Sequence, residues 1–204
     1  MNTPPNQPPV KRALGDAWDQ LHPVIRRQHD LTPGTDAEVV MTGTLYEIHH
    51  SRIATLFVYP ARLFGALVQY RGYDVPTTVR NWTTADDPHH VFWQRTFHFP
   101  DKEPVSFASR MAYLGGNEVA EYVQSGLGMR MRLSVRDGML IYDGTGYRWD
   151  FQRLSLHLPS WLILGRGEIC QSGLSEDTFS MAFRMCHPLY GRTFAYSGDF
   201  RIDG

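Results

Sequence analysis

Apolar residues near the start of the chain recur with helical spacing. The stripe lies within residues 13–29 and consists of Leu14, Ala17, Trp18, Leu21, Val24 and Ile25. Apolar positions three and four residues apart predict an amphipathic helix. Pro23 should begin a second short turn of this segment, because proline suits the first turn of a helix.

A second helical pattern spans residues 52–70. Between Ile53 and Tyr70 the only charged residue is Arg62, and Pro60 should kink or split the helix. A membrane span needs about 20 apolar residues without a central arginine and proline, so we expect a helix buried in the core. A lid over a cavity, or a peripheral helix at a membrane surface, is the alternative.

Most of the remaining chain alternates between apolar and polar residues, as β-strands do. An extended segment occupies residues 37–48. Further strands are predicted at 77–85, 90–99, 104–114, 117–125, 128–136, 139–144, 147–157, 164–172, 176–187 and 193–202. Asp137-Gly138 is the strongest turn signal, because this pair suits a type I′ hairpin.

These patterns predict an α+β fold. Its main part is a large curved antiparallel β-meander of about 8–10 strands, which could close into a barrel, with two N-terminal helices packed on or in it. Residues 13–204 should form a single domain, preceded by a Pro-rich disordered tail at residues 1–12.

Composition narrows the range of partners and compartments. The formal net charge is −1, which gives no general attraction to nucleic acid. The first residues lack the apolar stretch of a signal peptide, so the chain is predicted to be cytoplasmic. Cys170 and Cys186 should lie out of register on one hairpin, too far apart for a disulfide, as buried free thiols.

One predicted sheet face is aromatic and contains an arginine. A three-residue loop at residues 101–103 would place Arg95 opposite Ser109 on this face. A buried charge needs a partner, which for Arg95 is either a protein carboxylate, with the guanidinium stacked on an aromatic ring, or the acidic group of a ligand in an aromatic-lined cavity. The predicted ligand-binding residues are Trp93, Arg95, Phe97, Phe107, Met111 and Tyr122.

A second charged pair depends on the position of the next turn. A turn at Gly115-Gly116 would place Arg110 opposite Glu121, which predicts a structural ion pair. A turn at Gly116-Asn117 would instead move the register and remove that pair.

Motifs for chemistry are weak throughout the chain. It has no phosphate-binding glycine loop, dinucleotide fingerprint or nucleophile elbow, and no cofactor is predicted. The stretch Asp86-Asp87-Pro88-His89-His90 resembles a metal cluster only in composition, since adjacent strand residues point to opposite sides. No metal site is predicted. If the protein is an enzyme, Glu121 or His157 is the candidate acid or base.

Several segments together resemble an uncharacterised bacterial family, the domain of unknown function DUF4166. They are Leu14-Gly15, Leu21 to Asp30, Trp93 to Phe97, Ser109-Arg110, Glu121 to Leu133, Leu158 to Leu162, Pro188 to Gly191 and Tyr196 to Gly198. The resemblance covers most of residues 13–202. It implies that Arg95, Arg110 and Glu121 occupy motif positions of the family, and it implies no activity.

Three functional hypotheses follow. The leading one is a non-enzymatic domain that binds a lipid-like or other apolar small ligand, with Arg95 holding its acidic head group. The second is an enzyme acting on a small apolar substrate in the same cavity. The third is a structural or protein-interaction module, whose sheet face would be solid core. Peripheral membrane contact through residues 53–70 is a further expectation, and the oligomeric state is left open.

Overall fold

The computed structural model describes residues 7–52, 54, 68, 70–151 and 154–203. The chain begins with helix α1 (Pro9–Leu14), a 3₁₀ helix (Gly15–Gln20) and helix α2 (Pro23–His29). Proline occupies the first turn of both α-helices, where its missing N–H leaves no hydrogen bond unmade. Residues 9–12, predicted as disordered tail, are thus helical, and Val10 is buried in the core.

Eleven β-strands follow in the described part of the chain. They are β1 Glu38–His50, β2 Gly72–Trp82, β3 His90–Phe97, β4 Val105–Gly115, β5 Glu118–Val123, β6 Leu127–Arg136, β7 Met139–Phe151, β8 Leu154–Leu158, β9 Arg166–Gly173, β10 Thr178–His187 and β11 Gly191–Ile202. The segments predicted at 139–144 and 147–157 are divided differently. Residues 139–151 form one strand, with an irregularity in its pairing near Gly144 and Gly146, and β8 is separate.

The strands form a closed antiparallel barrel. Each of β1 to β6 pairs with its neighbours, β1 also pairs with β11, and β11 continues through β10 and β9 to β7. Because β7 pairs with both β6 and β9, ten strands close on themselves, and β8 is attached only to β7. The predicted curved meander therefore closes, and closure removes the exposed sheet edges of an open meander.

The inward-facing residues of the barrel form one hydrophobic core. On β3 the alternation is regular, with Val91, Trp93, Arg95 and Phe97 buried and the residues between them half-buried. The largest fully buried side chains are Tyr142, Phe97, Phe179, Phe194, Phe200, Ile25, Met41, Leu45, Ile48, Met111, Met131 and Leu133. Ile25 of α2 belongs to this set, so the N-terminal helices pack into the barrel core.

The two ends of the barrel differ. At one end, which we call the plug end, α1 and α2 pack against the interior. Here Nε2 of His29 lies 2.8 Å from Oε1 of Gln171 and 3.2 Å from the hydroxyl of Tyr142, and both of these residues face inward. The opposite end, which we call the mouth end, carries the β3–β4, β5–β6 and β10–β11 connections and the β8–β9 connection at residues 159–165.

Turn chemistry set the register correctly at one hairpin and incorrectly at another. Asp137 and Gly138 both have positive φ, and the predicted pairing of Leu133 with Tyr142 is confirmed. At the β3–β4 hairpin the connection spans residues 98–104, and Arg95 lies opposite Phe107 instead of Ser109. A shift of two residues preserves the inward face, so the predicted side of the sheet is still correct.

The two cysteines are free, as predicted, but they are less buried than expected. Cys170 is half-buried and Cys186 is exposed, and their partners across the β9–β10 hairpin are Ala182 and Arg166. The helix predicted at residues 52–70 lies almost wholly outside the described residues. Within the described residues, no helix has the length and apolar character needed to cross a membrane.

Candidate functional site

The interior of the barrel contains a cavity of about 200 Å³ toward the mouth end. A single water needs roughly 10–15 Å³, so this space can hold a small organic molecule. Its described apolar lining is Val68, Phe97, Phe107, Val123, Leu127, Met129, Ile163, Leu164, Ile169, Phe183, Met185 and Phe194. Its polar lining is Arg95, Glu121, Tyr147 and Tyr196. The cavity is thus an apolar space with a few polar groups, which is the usual character of a small-molecule site.

The β8–β9 connection covers part of the cavity and is fastened to the barrel. Leu164 lines the cavity, and its carbonyl accepts a hydrogen bond from Thr193 Oγ1 at 2.6 Å. The carbonyl of Gly165 accepts one from the hydroxyl of Tyr147 at 3.1 Å. These bonds to β11 and β7 hold residues 164–165 in place over the barrel interior.

A buried ion pair forms the polar part of the cavity wall. Nη1 of Arg95 lies 2.8 Å from Oε1 of Glu121, and it also donates to Oγ of Ser109 at 3.3 Å. Ser109 Oγ in turn donates to the same carboxylate oxygen at 2.6 Å. The side chains of Arg95 and Glu121 are only 6% and 10% exposed. Adjacent strands β3, β4 and β5 supply one member each, so the sheet itself sets this geometry.

The position of Glu121 corrects the predicted Arg110–Glu121 pair. The turn lies at Gly116-Asn117, which moves the pairing by two residues, and an irregularity between Tyr113 and Gly115 moves it back by one, so the net shift is one residue. Arg110 is therefore opposite Tyr122. A one-residue shift turns every side chain to the other face of the strand, which places Glu121 inside the barrel, where it pairs with Arg95. The turn considered as the alternative is the correct one.

Aromatic rings surround the guanidinium group. Arg95 lies over the ring of Trp93 at 4.8 Å and over that of Phe107 at 5.4 Å, distances at which a ring face attracts a cation. Burial is the largest single influence and acts to lower the pKa of Arg95, but the Glu121 carboxylate together with Tyr196 and Tyr142 outweighs it, so the pKa is raised overall. Arg95 is therefore a permanent buried cation whose charge Glu121 balances.

The ion pair retains hydrogen-bonding capacity on the cavity side. Arginine has five N–H donors, and within the described part of the chain only Nη1 of Arg95 has side-chain acceptors. The carboxylate contacts use only Oε1 of Glu121. Some buried polar atoms of the protein have no hydrogen-bond partner and no contact with solvent or a cavity. The remaining Arg95 nitrogens and Glu121 Oε2 are not among them. Since both residues line the cavity, these free groups are accessible from it.

The predicted ligand-binding residues lie in three places. Arg95, Phe97 and Phe107 line the cavity. Trp93 and Met111 face inward but lie nearer the plug end, where they border a space of only about 10 Å³.

Tyr122 is on the outer face of β5, so it does not line the cavity. It borders a surface groove together with Trp82, Phe92 and Arg110. Tyr122 therefore does not lie at the cavity wall, where the predicted register had placed it. The cause is the same net one-residue shift that separates Arg110 from Glu121.

Other cavity residues were not predicted from the sequence. Phe183 and Tyr196 are partners across the β10–β11 hairpin, and they meet Met129 of β6 only because the barrel closes. Tyr196 is half-buried, and burial raises the pKa of its phenol. The sequence signal for Tyr196 was its place in the family motif Tyr196-Ser197-Gly198. This motif did not indicate that Tyr196 lines a cavity.

The remaining candidates for chemistry lie outside the cavity. His157 is exposed on β8. Asp87 accepts hydrogen bonds from the backbone N–H groups of His89 and His90, and its carboxylate lies 2.9 Å from Nδ1 of His90. This is a capped polar turn. Within the described residues, no group of three or more His, Cys, Asp or Glu side chains is arranged to hold a metal ion.

Comparison with known proteins gives one match. The sequence profile of DUF4166, described as a domain of unknown function, matches residues 21–200. The chain has no significant match among curated proteins or among solved structures.

Proposed function

The chain belongs to the DUF4166 family, whose description assigns no activity, and we propose that it binds a small apolar molecule with a polar end group inside the barrel. The observation that carries this proposal is a buried ion pair with free donors and a free acceptor on the wall of an otherwise apolar cavity.

The ion pair is difficult to explain as a stabilising device. Removing two charges from water costs several kcal/mol each, and a buried pair is often no more stable than well-packed apolar residues of similar volume. A pair that also leaves hydrogen-bonding groups unused is worse in this respect. A ligand group that hydrogen-bonds to the unused donors and acceptor would supply the missing contacts. Ligand binding therefore explains why the pair lies at the cavity.

The charge balance indicates which end group fits best. Because Glu121 already neutralises Arg95, a fully ionised acidic head would bring an uncompensated negative charge into the cavity, which is unfavourable. A group that accepts from Arg95 and donates to Glu121 Oε2 meets both needs. A hydroxyl or a protonated carboxyl does this. We therefore favour a medium-chain alcohol or neutral acid over the ionised head group expected from Arg95 alone.

Binding is favoured over catalysis because of the state of the candidate base. Oε1 of Glu121 accepts hydrogen bonds from both Arg95 and Ser109, so this oxygen is already engaged and is not free to accept a proton from a substrate. The other candidate, His157, is exposed outside the cavity. A purely structural module would not require a cavity of about 200 Å³.

The test compares the binding of decanol, decanoic acid and decane by isothermal titration calorimetry at pH 7. We expect decanol to bind at least about tenfold more tightly than decane, since a hydrogen bond to a charged group contributes about 1.5–3 kcal/mol. This preference should disappear in the Arg95→Met, Glu121→Leu double variant, which keeps an apolar wall of similar size.

Arg110→Met is the matched control, because Arg110 is on the outer face of β4, and it should retain the preference. Failure of all three probes to bind would contradict the proposed function. Tighter binding of ionised decanoic acid than of decanol would instead support a ligand with an acidic head group, as expected from Arg95 alone.

A further inference from the structure

The mouth end of the barrel exposes four large hydrophobic side chains on two neighbouring turns. Trp161 and Leu162 belong to the 3₁₀ helix Ser160–Leu162 and are 59% and 53% exposed. Leu189 and Tyr190 lie in the β10–β11 turn and are 79% and 47% exposed. Isolated exposed hydrophobic residues are common on protein surfaces, but a cluster marks an interaction site.

His187 joins the two turns into one surface. Its Nε2 lies 2.6 Å from the carbonyl oxygen of Trp161, and its Nδ1 accepts from the backbone N–H of Leu189 at 3.1 Å. The ring of His187 also stacks on that of Tyr190, with centroids 4.5 Å apart. These contacts fix the backbone of the two turns and the ring of Tyr190, so the folded barrel holds the two turns next to each other. We call the four residues the apolar rim.

Basic residues accompany the apolar rim. Arg192 is the second residue of β11, close to the β10–β11 turn. Arg52 follows β1 and Arg71 precedes β2 at the same end. All three are exposed. None of them forms an ion pair with a residue that the structure describes. The adjoining connections at 159–165 and 188–190 contain no acidic residue.

The strand connections at the plug end have the opposite charge. The connections at 30–37, 83–89, 137–138 and 174–177 contain no lysine or arginine. They carry Asp30, Asp36, Asp86, Asp87, Asp137, Glu176 and Asp177. The strand connections of the two ends therefore differ in charge. The difference is partial, because α1 and α2 bring Lys11, Arg12, Arg26 and Arg27 to the plug end and the β3–β4 connection brings Asp101 and Glu103 to the mouth end.

We infer that the mouth end docks on the surface of an anionic lipid bilayer. Arg52, Arg71 and Arg192 meet the head groups, and the acidic strand connections of the plug end face away from them. Trp161 and Tyr190 are the aromatic types enriched at membrane interfaces, and Leu162 and Leu189 can enter the acyl boundary. This inference rests on the proposed function, because the bilayer would be the source of the cavity ligand.

A bilayer fits this surface better than a second copy of the chain. A stable protein–protein interface buries about 800 Å² on each partner and involves roughly 20–30 residues a side, whereas the apolar rim has four. Two copies meeting through this end would also bring Arg52, Arg71 and Arg192 of both chains together. A lipid surface requires neither a large matching area nor opposite charges on a partner protein.

The experiment is co-sedimentation of the full chain with large vesicles, without any added cavity ligand. Vesicles of phosphatidylcholine alone are compared with vesicles containing one-quarter phosphatidylglycerol, at low and at physiological salt. We expect binding to the anionic vesicles that weakens as salt increases. The Leu162→Ser, Leu189→Ser variant should lose at least about tenfold in affinity, because each buried CH₂ contributes about 0.8 kcal/mol. Arg192→Gln should lose about fivefold on anionic vesicles.

Leu174→Ser is the matched control, because Leu174 is 55% exposed but lies in the β9–β10 turn at the plug end. It should bind vesicles like the unaltered chain. Absence of vesicle binding, or equal losses in the control and in the rim variant, would overturn the inference. Self-association that the rim variant abolishes, without vesicle binding, would overturn it in favour of a second copy.

The two proposals fail separately. Vesicle binding with no binding of decanol or decanoic acid would retain the docking surface and remove the cavity ligand. Binding of those soluble probes with no vesicle binding would do the reverse. The Arg95→Met, Glu121→Leu variant should bind vesicles normally, since both residues lie inside the barrel.

Discussion

The two halves of the barrel interior differ in how completely side chains fill them. At the plug end, α1 and α2 supply side chains that fill the space between the strands, and the space left near Trp93 and Met111 is about 10 Å³. At the mouth end, a cavity of about 200 Å³ remains. Helices α1 and α2 fill the plug half, and the mouth half retains a cavity large enough for a small molecule.

The polar groups of the two halves also differ. At the plug end, the neutral His29 lies within hydrogen-bond distance of Gln171 and Tyr142. Neutral Gln28 Oε1, Asn81 Oδ1 and Trp93 Nε1 are also buried there, without a hydrogen-bond partner. The mouth half contains a charged pair, Arg95 and Glu121, with free hydrogen-bonding atoms. The comparison teaches that a buried polar group whose partners all come from the chain serves the fold. A buried charge with unused capacity beside a cavity indicates a ligand.

The largest effect is expected from breaking the charged pair. Arg95→Met alone, or Glu121→Leu alone, should lower the free energy of unfolding by roughly 3–5 kcal/mol, because each leaves an uncompensated buried charge. The double variant should recover most of this loss. Urea unfolding of the four proteins forms a double-mutant cycle. Additive losses in the double variant would show that the two charges do not interact.

A matched pair of isoleucines compares the packing of the two halves. Ile25 on α2 is fully buried, and Ile169 on β9 is 7% exposed and lines the cavity. Ile25→Ala should lower the free energy of unfolding by about 2–5 kcal/mol. Ile169→Ala should lose less, about 2 kcal/mol or below, since its side chain already faces open space.

The same urea titration measures both isoleucine variants. Equal losses would contradict the difference in packing. The Ile169→Ala protein should in addition accept bulkier alcohols than the unaltered chain, which calorimetry can detect.

The smallest effect concerns pH and the plug end. Burial lowers the pKa of His29 from 6.5 to about 4, against the opposing effect of its hydrogen bond to Gln171. Between these pH values the unfolded chain binds a proton that the folded chain does not, so stability falls as pH decreases through 6.5 toward 4. His29 should account for about 2 kcal/mol of the stability lost between pH 7 and pH 5.

His29→Gln removes this titration and keeps a side chain able to hydrogen-bond with Gln171. Its free energy of unfolding should therefore depend less on pH over this interval, by about the same 2 kcal/mol. Urea unfolding at pH 7 and pH 5 measures the change. An unchanged pH dependence would mean that His29 is not responsible.

Local signals predicted the strands well and their partners less well. Asp137-Gly138 gave the correct pairing because a two-residue type I′ turn fixes its register. The β3–β4 connection is longer and does not determine the strand register by itself, so the predicted pairing was shifted by two residues. The β4–β5 hairpin contains an irregularity in strand pairing near Leu114, which no residue type in this segment predicts. The prediction of an Arg110–Glu121 ion pair was wrong for this reason.

The candidate site was predictable only in part for the same reason. Arg95 on an aromatic face was visible from alternation, and so was its need for a partner. That Glu121 is this partner depends on a one-residue shift. The other wall of the cavity, with Phe183 and Tyr196, comes from strands about 90 to 100 positions further along the chain, where hairpin geometry has no influence.

The sequence by itself determined the antiparallel β character of the chain, its early helices and the inward position of Arg95, because alternation, proline and turn residues act over a few positions. The tertiary structure decided that β7 pairs with both β6 and β9, and that Glu121 meets Arg95. It also decided that one end of the barrel is filled while the other contains a cavity. These features depend on long-range strand register and on packing volume, which no local pattern of residues encodes.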